Sequence, residues 1–358
     1  MNITVTKTQT PKEKPVDESK LGFGSIFTDH MFIVEYEEGR GWYDPRIIPY
    51  QSLSIDPASP VLHYGQEVFE GAKAYSLDNG EVGLFRIRDN ARRMNQSAVR
   101  TCMPELDVEA QYEAICRLVD LDRSWVPASE GTSLYLRPTM IADGACLGAH
   151  SASSFIYFVI CSPSGSYYPE GIKPIRILIE TRYARAVKGG MGRAKTGGNY
   201  AASFKAAKEA LDRGYHQVLW LDGREQKYVE EVGAMNMMFV IDDKLVTAEL
   251  GDTILPGITR DSILQLARDK GLPVEERKIP VTELFEANAQ GRLQEAFGTG
   301  TAAVISPVGE LTWLDKTIII NNNEIGPVAQ MFYDTLTGIQ KQRVEDAHEW
   351  VSTVPRFN

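Results

Sequence analysis

Apolar residues recur along the chain at two spacings, which predict alternating strands and helices. Short runs rich in β-branched, aromatic and leucine residues are typical of strands. Stretches with apolar residues three to four positions apart are typical of amphipathic helices. The predicted strands cover 31–34, 68–69, 72–75, 132–141, 155–161, 174–179, 217–221 and 236–241, and the predicted helices cover 90–99, 108–121, 200–213, 259–270 and a last stretch that starts at 326–327.

The clearest helix signal follows a glycine-rich stretch. Phe204, Ala207 and Leu211 are spaced i, i+3 and i+7, so they share one face of a helix. Asn199 is expected to cap the first turn, because a short polar side chain can accept a backbone N–H there. Gly214 is expected to stop the helix.

The pattern also predicts two domains of mixed helix and strand. A chain of 358 residues is longer than one hydrophobic core usually serves. Proline, glycine and serine concentrate between 163 and 174, which separates two series of strands. We predict a flexible N-terminal segment (1–20), a small α/β domain (21–165), an interdomain linker (166–182) and a larger domain (183–358). The predicted fold class is α/β (α+β), with a site between the domains.

Composition and charge argue against several classes of function. The formal net charge is -10 and Lys and Arg form no block, which disfavours a nucleic-acid partner. No apolar run approaches the roughly 20 residues of a membrane span, so no membrane contact is expected. Four cysteines without short spacing and five scattered histidines predict no metal site. The cysteines fit a reduced, cytoplasm-like compartment best, so a cytoplasmic location is expected. The N-terminal stretch has no signal-peptide apolar core, and its acidic residues disfavour a mitochondrial transit peptide.

The most informative stretch is 189–200, in which glycines surround Lys195 just before a helix. One interpretation is a nucleotide-binding P-loop, but Ala194 stands where that motif has glycine, and the helix starts late. Another is a solvated lysine in a surface loop, which is the usual environment of lysine. A third is a lysine bonded to a cofactor, since glycines let a bulky group approach the backbone and a desolvated amine is nucleophilic.

The sequence from Lys195 to Tyr200, Lys-Thr-Gly-Gly-Asn-Tyr, resembles the cofactor-lysine motif of branched-chain aminotransferases, which are class IV enzymes of fold type IV. The similarity extends from 23–31 to 348–350. It implies a D-amino-acid-aminotransferase-like fold with pyridoxal 5'-phosphate (PLP) at the domain interface, bound to Lys195 as a Schiff base. It also implies reversible transamination of L-leucine, L-isoleucine and L-valine with 2-oxoglutarate, which gives branched 2-oxo acids and L-glutamate.

A carboxylate opposite the pyridine nitrogen makes PLP a stronger electron sink. The stretch 231–236 resembles the family's Glu-x-x-x-x-Asn segment, which implies that Glu231 is this carboxylate. Glu230 is expected to be a solvated neighbour on the other face, because successive residues of a strand alternate between its two faces.

The phosphate of PLP needs backbone amides and a cation. The resemblance implies that the amides of Ile258 and Thr259, at the start of a helix, and the side chain of Arg93 bind it. Thr301 is expected to reach the phosphate from a Gly/Thr turn, and Tyr200 is expected to bond to the phenolic oxygen. Without the resemblance, an ordinary helix start, a solvated arginine and a simple β-turn remain open interpretations.

The resemblance implies a substrate pocket that accepts both aliphatic side chains and glutamate. Tyrosine suits both, because its ring is apolar and its hydroxyl is polar. Arg137 alternates with Tyr135 on one strand and is expected to meet the γ-carboxylate of glutamate, directly or through another group. The amides of Thr301 and Ala302 are expected to hold the substrate α-carboxylate. The full set of expected substrate-binding residues is Phe23, Tyr64, Tyr135, Arg137, Tyr167, Ala234, Thr301, Ala302, Leu147 and Ala149.

Two further segments bear on the expected oligomeric state and on the type of relative that the chain resembles. Leu147 and Ala149 match a loop that enters from the neighbouring subunit in the family, which implies a homodimer. Ala303 and Ser306 occupy the positions of a redox Cys-x-x-Cys found in mammalian-type relatives, so a bacterial-type enzyme without that thiol switch is expected.

Other functions stay open at the level of sequence. The nearest alternatives are two more class IV activities, D-amino-acid transamination and aminodeoxychorismate lysis. A nucleotide-binding protein would bind ATP or GTP without yellow colour. A catalytically silent PLP-binding module would hold the cofactor but exchange with no amino acid.

Overall fold

The computed structural model describes residues 1–165 and 172–357. Contacts between residues divide the chain into two units. Residues 166–171, which include the expected pocket residue Tyr167 and the start of the expected linker, lie outside the described residues. The first unit comprises Met1–Pro169, Ala194–Gly197 and Gly338–Asn358, and the second comprises Glu170–Arg193 and Gly198–Thr337.

The described part of the first unit contains nine strands and three α-helices, numbered here in chain order. Short 3-10 helices lie at Glu18–Lys20 and Arg123–Trp125. The α-helices are α1 (Pro60–Tyr64), α2 (Ile87–Arg100) and α3 (Val108–Leu121). The strands are β1 (Thr4–Val5), β2 (His30–Glu37), β3 (Gly41–Pro49), β4 (Glu67–Phe69), β5 (Ala72–Ser76), β6 (Val82–Phe85), β7 (Ser133–Asp143), β8 (Ser154–Ser164) and β18 (Val351–Thr353).

These nine strands form one sheet, in the order β1-β3-β2-β8-β7-β5-β6-β18, with β4 added beside β7. Helices α2 and α3 contribute Met94 and Ile115 to a core that also contains Phe32 and Leu136 from the sheet. The bounds predicted for α3 are confirmed. Asp107 caps this helix by accepting a 2.9 Å hydrogen bond from the Ala110 N–H, which satisfies one of the amides left over at a helix start.

The N-terminal segment differs from the flexible lead-in expected over 1–20. β1 pairs in parallel with β3, and the Met1 ammonium lies 3.0 Å from the Glu113 carboxylate. The Thr8 N–H donates to His30 Nε2 at 2.9 Å, and His30 Nδ1 lies 2.6 Å from Asp122. These partners are distant in sequence, so the local composition of the segment does not indicate them.

The described part of the second unit contains another nine strands and five α-helices. A 3-10 helix lies at Asn321–Asn323. The α-helices are α4 (Gly197–Ala201), α5 (Phe204–Asp212), α6 (Ile258–Asp269), α7 (Val281–Ala289) and α8 (Pro327–Gln340). The strands are β9 (Ile175–Ile179), β10 (Gln217–Leu221), β11 (Val229–Val232), β12 (Met235–Ile241), β13 (Lys244–Ala248), β14 (Val274–Arg277), β15 (Leu293–Gly300), β16 (Val304–Trp313) and β17 (Lys316–Ile319).

The sheet of the second unit runs in the order β11-β10-β9-β16-β15-β12-β13-β14, with β17 beside β16. β11 also pairs with β12, so six of these strands close into a ring. Helix α5 packs Ala206 and Ala210 against Val218 and Trp220 on the outside of β10. The closed ring fixes the ends of β11 and β15, and both ends carry expected site residues.

The single helix predicted over 200–213 is wrong, because the chain forms α4 and α5 instead. Asn199 lies within α4 and does not cap a helix start. Its side chain donates a 2.8 Å hydrogen bond to the Met191 carbonyl, which ties it to the preceding glycine-rich stretch. The Ser203 hydroxyl donates to the Tyr200 carbonyl at 2.6 Å, and such local side-chain bonds compete with helix continuation.

The two units also divide the chain differently from the domain boundaries expected from sequence. Ala194–Gly197 and Gly338–Asn358 belong to the first unit, although both stretches fall within the expected domain 183–358. The stretch Gly338–Asn358 joins the first unit because its strand β18 pairs with β6. Over residues 1–165 and 172–357, none of the helices is both long and apolar enough to span a bilayer.

Candidate active site

The backbone around Lys195 is held by three hydrogen bonds within the first unit. The Lys195 N–H donates to the Ser97 hydroxyl at 2.9 Å, and the Lys195 carbonyl accepts from the Phe69 N–H at 3.0 Å. The Thr196 hydroxyl donates to the Glu67 carbonyl at 2.7 Å. The lysine segment therefore lies beside β4, to which the Lys195 carbonyl and the Thr196 hydroxyl are hydrogen-bonded. The half-buried side chain of Lys195 places its Nζ atom 4.9 Å from the centre of the Phe69 ring.

Gly197 allows a close approach between this segment and β4. Its N–H donates to the Glu67 carboxylate, and a Cβ atom at this position would collide with that same carboxylate. Glu67 is partly withdrawn from water, and burial raises its pKa although the Gly197 N–H and the charge of Arg137 act in the opposite direction. A side chain at Gly197 would therefore displace the Glu67 carboxylate from its hydrogen bond with the Gly197 N–H.

Arg93 is buried in the first unit and paired with a carboxylate. The exposed fraction of Arg93 is 7 %, and that of Glu70 is 1 %. The guanidinium donates to both oxygens of Glu70, from Nε at 2.7 Å and from Nη2 at 2.8 Å. The solvated helix charge left open by the sequence is therefore excluded for Arg93.

Tyr135 and Arg137 share one face of β7, as their alternation predicts. Arg137 Nη2 donates to the Tyr135 hydroxyl at 2.9 Å. The Arg137 guanidinium also lies 4.9 Å from the centre of the Phe69 ring, the ring that Lys195 contacts. Phe23 packs edge-on against Tyr135, with ring centres 4.8 Å apart. The first unit thus gathers Lys195 and three of the expected pocket residues around two aromatic rings.

Tyr64 and the loop after β7 form a second, more exposed group. The Tyr64 hydroxyl donates to the Leu147 carbonyl at 2.5 Å. Tyr64 is 47 % exposed and Leu147 is 65 % exposed, and Ala149 is exposed as well. Large apolar side chains with this exposure are what a contact with another protein surface would cover.

Glu231 is the central carboxylate of the second unit. It lies on β11 with an exposed fraction of 4 %. Its Oε2 atom lies 2.5 Å from Arg185, and its Oε1 atom accepts from the Asn236 amide at 3.1 Å and from the Leu255 N–H at 3.0 Å. Such a set of donors keeps a buried carboxylate ionised and fixed in position.

The expectation that Glu230 is solvated is wrong. Glu230 does alternate with Glu231 along β11, but its exposed fraction is only 6 %, and all four residues of this strand are buried. Its Oε2 atom has no hydrogen-bond partner among the described residues. Burial raises the pKa of Glu230, although a hydrogen bond with Thr253 and the charge of Arg185 oppose the shift.

This environment predicts a pH-dependent gain in stability for Glu230→Gln. A carboxyl whose pKa is raised in the folded state contributes stability at low pH and loses it as the pH rises through the folded pKa. Glutamine does not titrate, so the variant should escape this loss. We expect a melting temperature above that of wild type at pH 8 and a smaller difference at pH 4.

Glu225→Gln is the matched control, because Glu225 is an exposed glutamate in the turn before β11. Its melting temperature relative to wild type should not change between the two pH values. A constant or shrinking difference for Glu230→Gln as the pH rises would contradict the assigned direction of the pKa shift.

The N-terminus of α6 offers backbone amides without a side-chain cap. Gly257 is the N-cap residue and makes no side-chain cap hydrogen bond. A Cβ atom at Gly257 would collide with the Asn236 side-chain amide, so any other residue here would have to displace that amide from its hydrogen bonds with Glu231 and the Leu255 carbonyl. Ile258 and Thr259 follow in the first turn and are both buried. A helix start of this kind attracts an anion through its amides and its dipole.

The turn after β15 presents the remaining expected residues. Thr301 and Ala302 lie in this turn, half-buried, between the paired residues Gly300 and Val304. Val304 has a φ of 62°, a strained value for a β-branched residue, which marks a tight turn. Just before the turn, the buried Thr299 hydroxyl has no hydrogen-bond partner among the described residues. A polar group that could donate to an incoming ligand is therefore present here.

The other expected residues of the second unit have less distinctive surroundings. Tyr200 is half-buried in α4. Ala234 is exposed in the two-residue turn that joins β11 to β12.

Sequence reasoning missed Arg185 and Glu70, two charged partners of expected site residues. Arg185 lies in a stretch where nothing marks it as the partner of a carboxylate far along the chain. Glu70 carries a clearer signal, because it is a charged residue inside the otherwise apolar strand region 68–75. Asn90, Arg93 and Ser97 carry another, since these polar residues recur at helical spacing on the buried face of α2.

Comparison with known proteins assigns the family. The family model described as amino-transferase class IV matches residues 67–311. Branched-chain-amino-acid aminotransferase 2 of Bacillus subtilis (strain 168) is 54% identical over 352 residues, which cover 98% of this chain and 97% of that protein. Branched-chain-amino-acid transaminase 1 of the same strain is 51% identical over 97% of this chain and 98% of its own.

Solved structures carry the same fold. The crystal structure of the Escherichia coli branched-chain amino acid aminotransferase matches with a TM-score of 0.76 and 26% identity, over 90% of this chain and 99% of that chain. The PLP-form (holo-form) of the branched-chain amino acid aminotransferase from Thermobaculum terrenum matches with a TM-score of 0.74 and 26% identity, over 90% of this chain and 98% of that chain. The chain therefore belongs to the class IV aminotransferase family and, within it, to the branched-chain-amino-acid aminotransferases.

Proposed function

We propose that this protein transfers the amino group of L-leucine, L-isoleucine or L-valine reversibly to 2-oxoglutarate, giving the branched 2-oxo acid and L-glutamate. The observation that carries the proposal is the 54% identity over 98% of the chain with an enzyme named for branched-chain amino acids. The environment of Lys195 supports it, because a transaminase needs a lysine whose backbone is fixed and whose amine lies beside apolar surface.

Class IV aminotransferases use PLP, and the described residues fit this cofactor. Glu231 is a buried carboxylate that two neutral donors and one cation hold in place. The start of α6, which has no side-chain cap and where a Cβ atom at Gly257 would displace the Asn236 amide, suits a phosphate. The orphaned Thr299 hydroxyl adds a polar group that can serve the same phosphate. Together with the Lys195 amine, these features suit the pyridine nitrogen, the phosphate and the aldehyde of PLP.

The residues that hold PLP are assigned by this fit and by the family resemblance. Lys195 carries the cofactor through its amine. Glu231 faces the pyridine nitrogen, and Tyr200 donates to the phenolic oxygen. The phosphate would be bound by the Arg93 side chain, the Ile258 and Thr259 amides and the Thr301 side chain.

The chemistry divides between cofactor and protein. Bound PLP supplies an electron sink for the bond that breaks at the substrate Cα. Lys195 takes the proton from Cα through its released amine, which acts as a general base and then as a general acid. Glu231 holds its negative charge at a fixed point, so that no reorganisation is needed during the reaction.

The substrate is recognised by an aromatic surface with one cation. Phe23 and Tyr135 offer ring surface to a branched aliphatic side chain. Arg137, aligned by the Tyr135 hydroxyl, pairs with the γ-carboxylate when glutamate occupies the same place. The Thr301 and Ala302 amides hold the α-carboxylate, and Ala234 borders the pocket.

The active form is proposed to be a homodimer. Leu147 and Ala149 are exposed on a loop that Tyr64 anchors. In this proposal the loop completes the pocket of the second subunit, which would cover its apolar side chains.

An absorption spectrum taken before and after addition of L-leucine tests the function. The purified protein should show the yellow absorbance of lysine-bound PLP, and L-leucine should convert it to the colourless amine form. Adding 2-oxoglutarate should restore the yellow form and release glutamate, which coupled detection can measure. D-Alanine and aminodeoxychorismate are the comparison substrates, and a higher initial rate with either one would contradict the proposed substrate class.

A further inference from the structure

Glu70 is the centre of a buried polar cluster in the first unit. Its Oε1 atom lies 2.7 Å from Arg93 Nε, and its Oε2 atom lies 2.8 Å from Arg93 Nη2. Oε2 also accepts from the Asn90 amide at 2.8 Å and from the Gly71 N–H at 3.1 Å. Glu70 is only 1 % exposed and Asn90 only 4 %. Four donors thus converge on one carboxylate that has almost no contact with water.

The carboxylate also senses the charge of Lys195. Burial opposes the ionisation of Glu70 most strongly, yet its pKa is lowered, because the charges of Arg93 and Lys195 and the hydrogen bonds from Arg93 and Asn90 outweigh burial. Glu70 therefore stays ionised between two cations. In the proposed function, one of these cations binds the phosphate of PLP and the other binds its aldehyde end.

A second arginine of α2 also pairs with a glutamate, and comparison with it shows how the Arg93–Glu70 pair differs. Arg88, also on α2, donates to Glu109 from Nε at 2.7 Å and from Nη2 at 2.9 Å, which is the same two-point geometry. The Arg88 side chain is 38 % exposed and the Glu109 side chain 62 %. An exposed pair of this kind contributes little to stability or orientation. A buried pair is costly to form, so its geometry must be well satisfied to persist.

The two hydrogen bonds between Arg93 and Glu70 fix the orientation of the guanidinium as well as its position. The guanidinium is planar, so bonds at Nε and Nη2 set its plane and the direction of its third nitrogen, Nη1. Without Glu70, a buried guanidinium would lose its counter-charge and its orientation together. With Glu70, an anion meets a cation whose direction is already set, and the ordering cost of binding falls.

We propose that Glu70 is a positioning residue for the cofactor: its carboxylate orients the Arg93 guanidinium toward the phosphate of PLP. This inference rests on the proposed function, and it assigns Glu70 no contact with the reacting atoms. It predicts that Glu70 affects the phosphate end of the cofactor specifically. PLP and pyridoxal, which lacks the phosphate, are therefore the two probes that test it.

The experiment measures the dissociation constants of PLP and pyridoxal for the apoenzyme by absorbance titration. In Glu70→Gln the amide nitrogen faces an arginine N–H, so one of the two bonds is lost along with the charge. We expect affinity for PLP to fall about 10–100-fold, the range found when partners that orient a ligand-binding group are removed. Affinity for pyridoxal should change much less, because the loss of charge near Lys195 acts on both probes alike. An equal loss for both probes, or no loss for PLP, would overturn the proposal.

Glu109→Gln is the matched control, because it makes the same change in the exposed Arg88–Glu109 pair. It should leave both dissociation constants unchanged. The rise in melting temperature on adding PLP is a second readout, and a purely structural role of Glu70 would leave this rise unchanged. In Glu70→Gln the rise in melting temperature on adding PLP should shrink, since this rise depends on affinity. A merely structural residue would lower the apo and holo melting temperatures equally.

Glu70→Asp covers the case in which Glu70→Gln does not fold. Aspartate keeps the counter-charge for Arg93 but is one methylene shorter, so it loses the two-point contact. The ratio of PLP affinity to pyridoxal affinity should fall in this variant too. A wild-type ratio, or a protein that cannot fold, would make the carboxylate structural and refute the inference. If wild type itself neither binds PLP nor converts L-leucine, the proposed function fails instead.

Discussion

Lys195→Ala is expected to abolish transamination of L-leucine while leaving the protein folded. The variant loses both the covalent attachment of PLP and the base that takes the Cα proton. A positioned general base alone contributes about 10²–10⁴-fold to a rate, so residual turnover should fall at least this far. Steady-state assays with L-leucine and 2-oxoglutarate measure the loss. Borohydride should no longer fix PLP to the chain, which mass spectrometry of the reduced protein can check.

The fold should survive because the variant keeps two backbone hydrogen bonds of residue 195. The N–H bond to Ser97 and the carbonyl bond from Phe69 do not involve the lysine side chain. Lys188→Ala is the control, since Lys188 is an exposed lysine that precedes the same glycine-rich stretch. It should retain wild-type turnover and borohydride labelling. Labelling at any lysine other than Lys195 would refute the assignment.

Local patterns predicted those elements whose causes are local. Helix α3 matched its predicted bounds because its cap, Asp107, and its buried stripe both lie within the helix or next to it. The stop of α6 before Gly271 has a similar origin, since this glycine has a φ of 72°, which other residues rarely adopt. Signals of this kind can be read from neighbouring residues alone.

The sequence pattern failed where individual hydrogen bonds, rather than the spacing of apolar residues, decide the structure. Over 200–213 the chain forms two helices, with Asn199 bonded to Met191 and Ser203 bonded to Tyr200 around the break. The N-terminal segment was expected to be flexible, but its partners Glu113 and His30 belong to elements much further along the chain. In each case a hydrogen bond outweighed a weak local propensity.

The residues of the candidate site also divide into those that the sequence predicted and those that it did not. The motif around Lys195 and the resemblance were enough to name Glu231 and Arg93 as site residues. Their partners Arg185 and Glu70 were not evident, because the pairing of buried charges depends on which strands and helices the fold brings together. The burial of Glu230 was missed for a related reason. Alternation along β11 predicts two faces, but it does not reveal that the side chains on both faces are buried.

Glu231→Gln is expected to lower kcat for L-leucine about 100-fold, a loss typical of removing one preorganised charge from an active site. Glutamine keeps the shape of the side chain, and its carbonyl oxygen can still accept from Asn236 and Leu255. It cannot supply the negative charge that faces the pyridine nitrogen in the proposed site, and it leaves Arg185 without a counter-charge. The measured quantity is kcat at saturating L-leucine and 2-oxoglutarate, with added PLP to separate turnover from cofactor loss.

Glu230→Gln is the sharpest control for this prediction, because it makes the same substitution one residue away on the same buried strand. Glu230 points to the opposite face of β11 and has no assigned contact with cofactor or substrate, so kcat should stay near wild type. Removing a buried carboxylate from β11 would then lower kcat only on the face that carries Glu231. Equal losses of kcat in the two variants would mean that the strand, and not the charge at position 231, is what turnover requires.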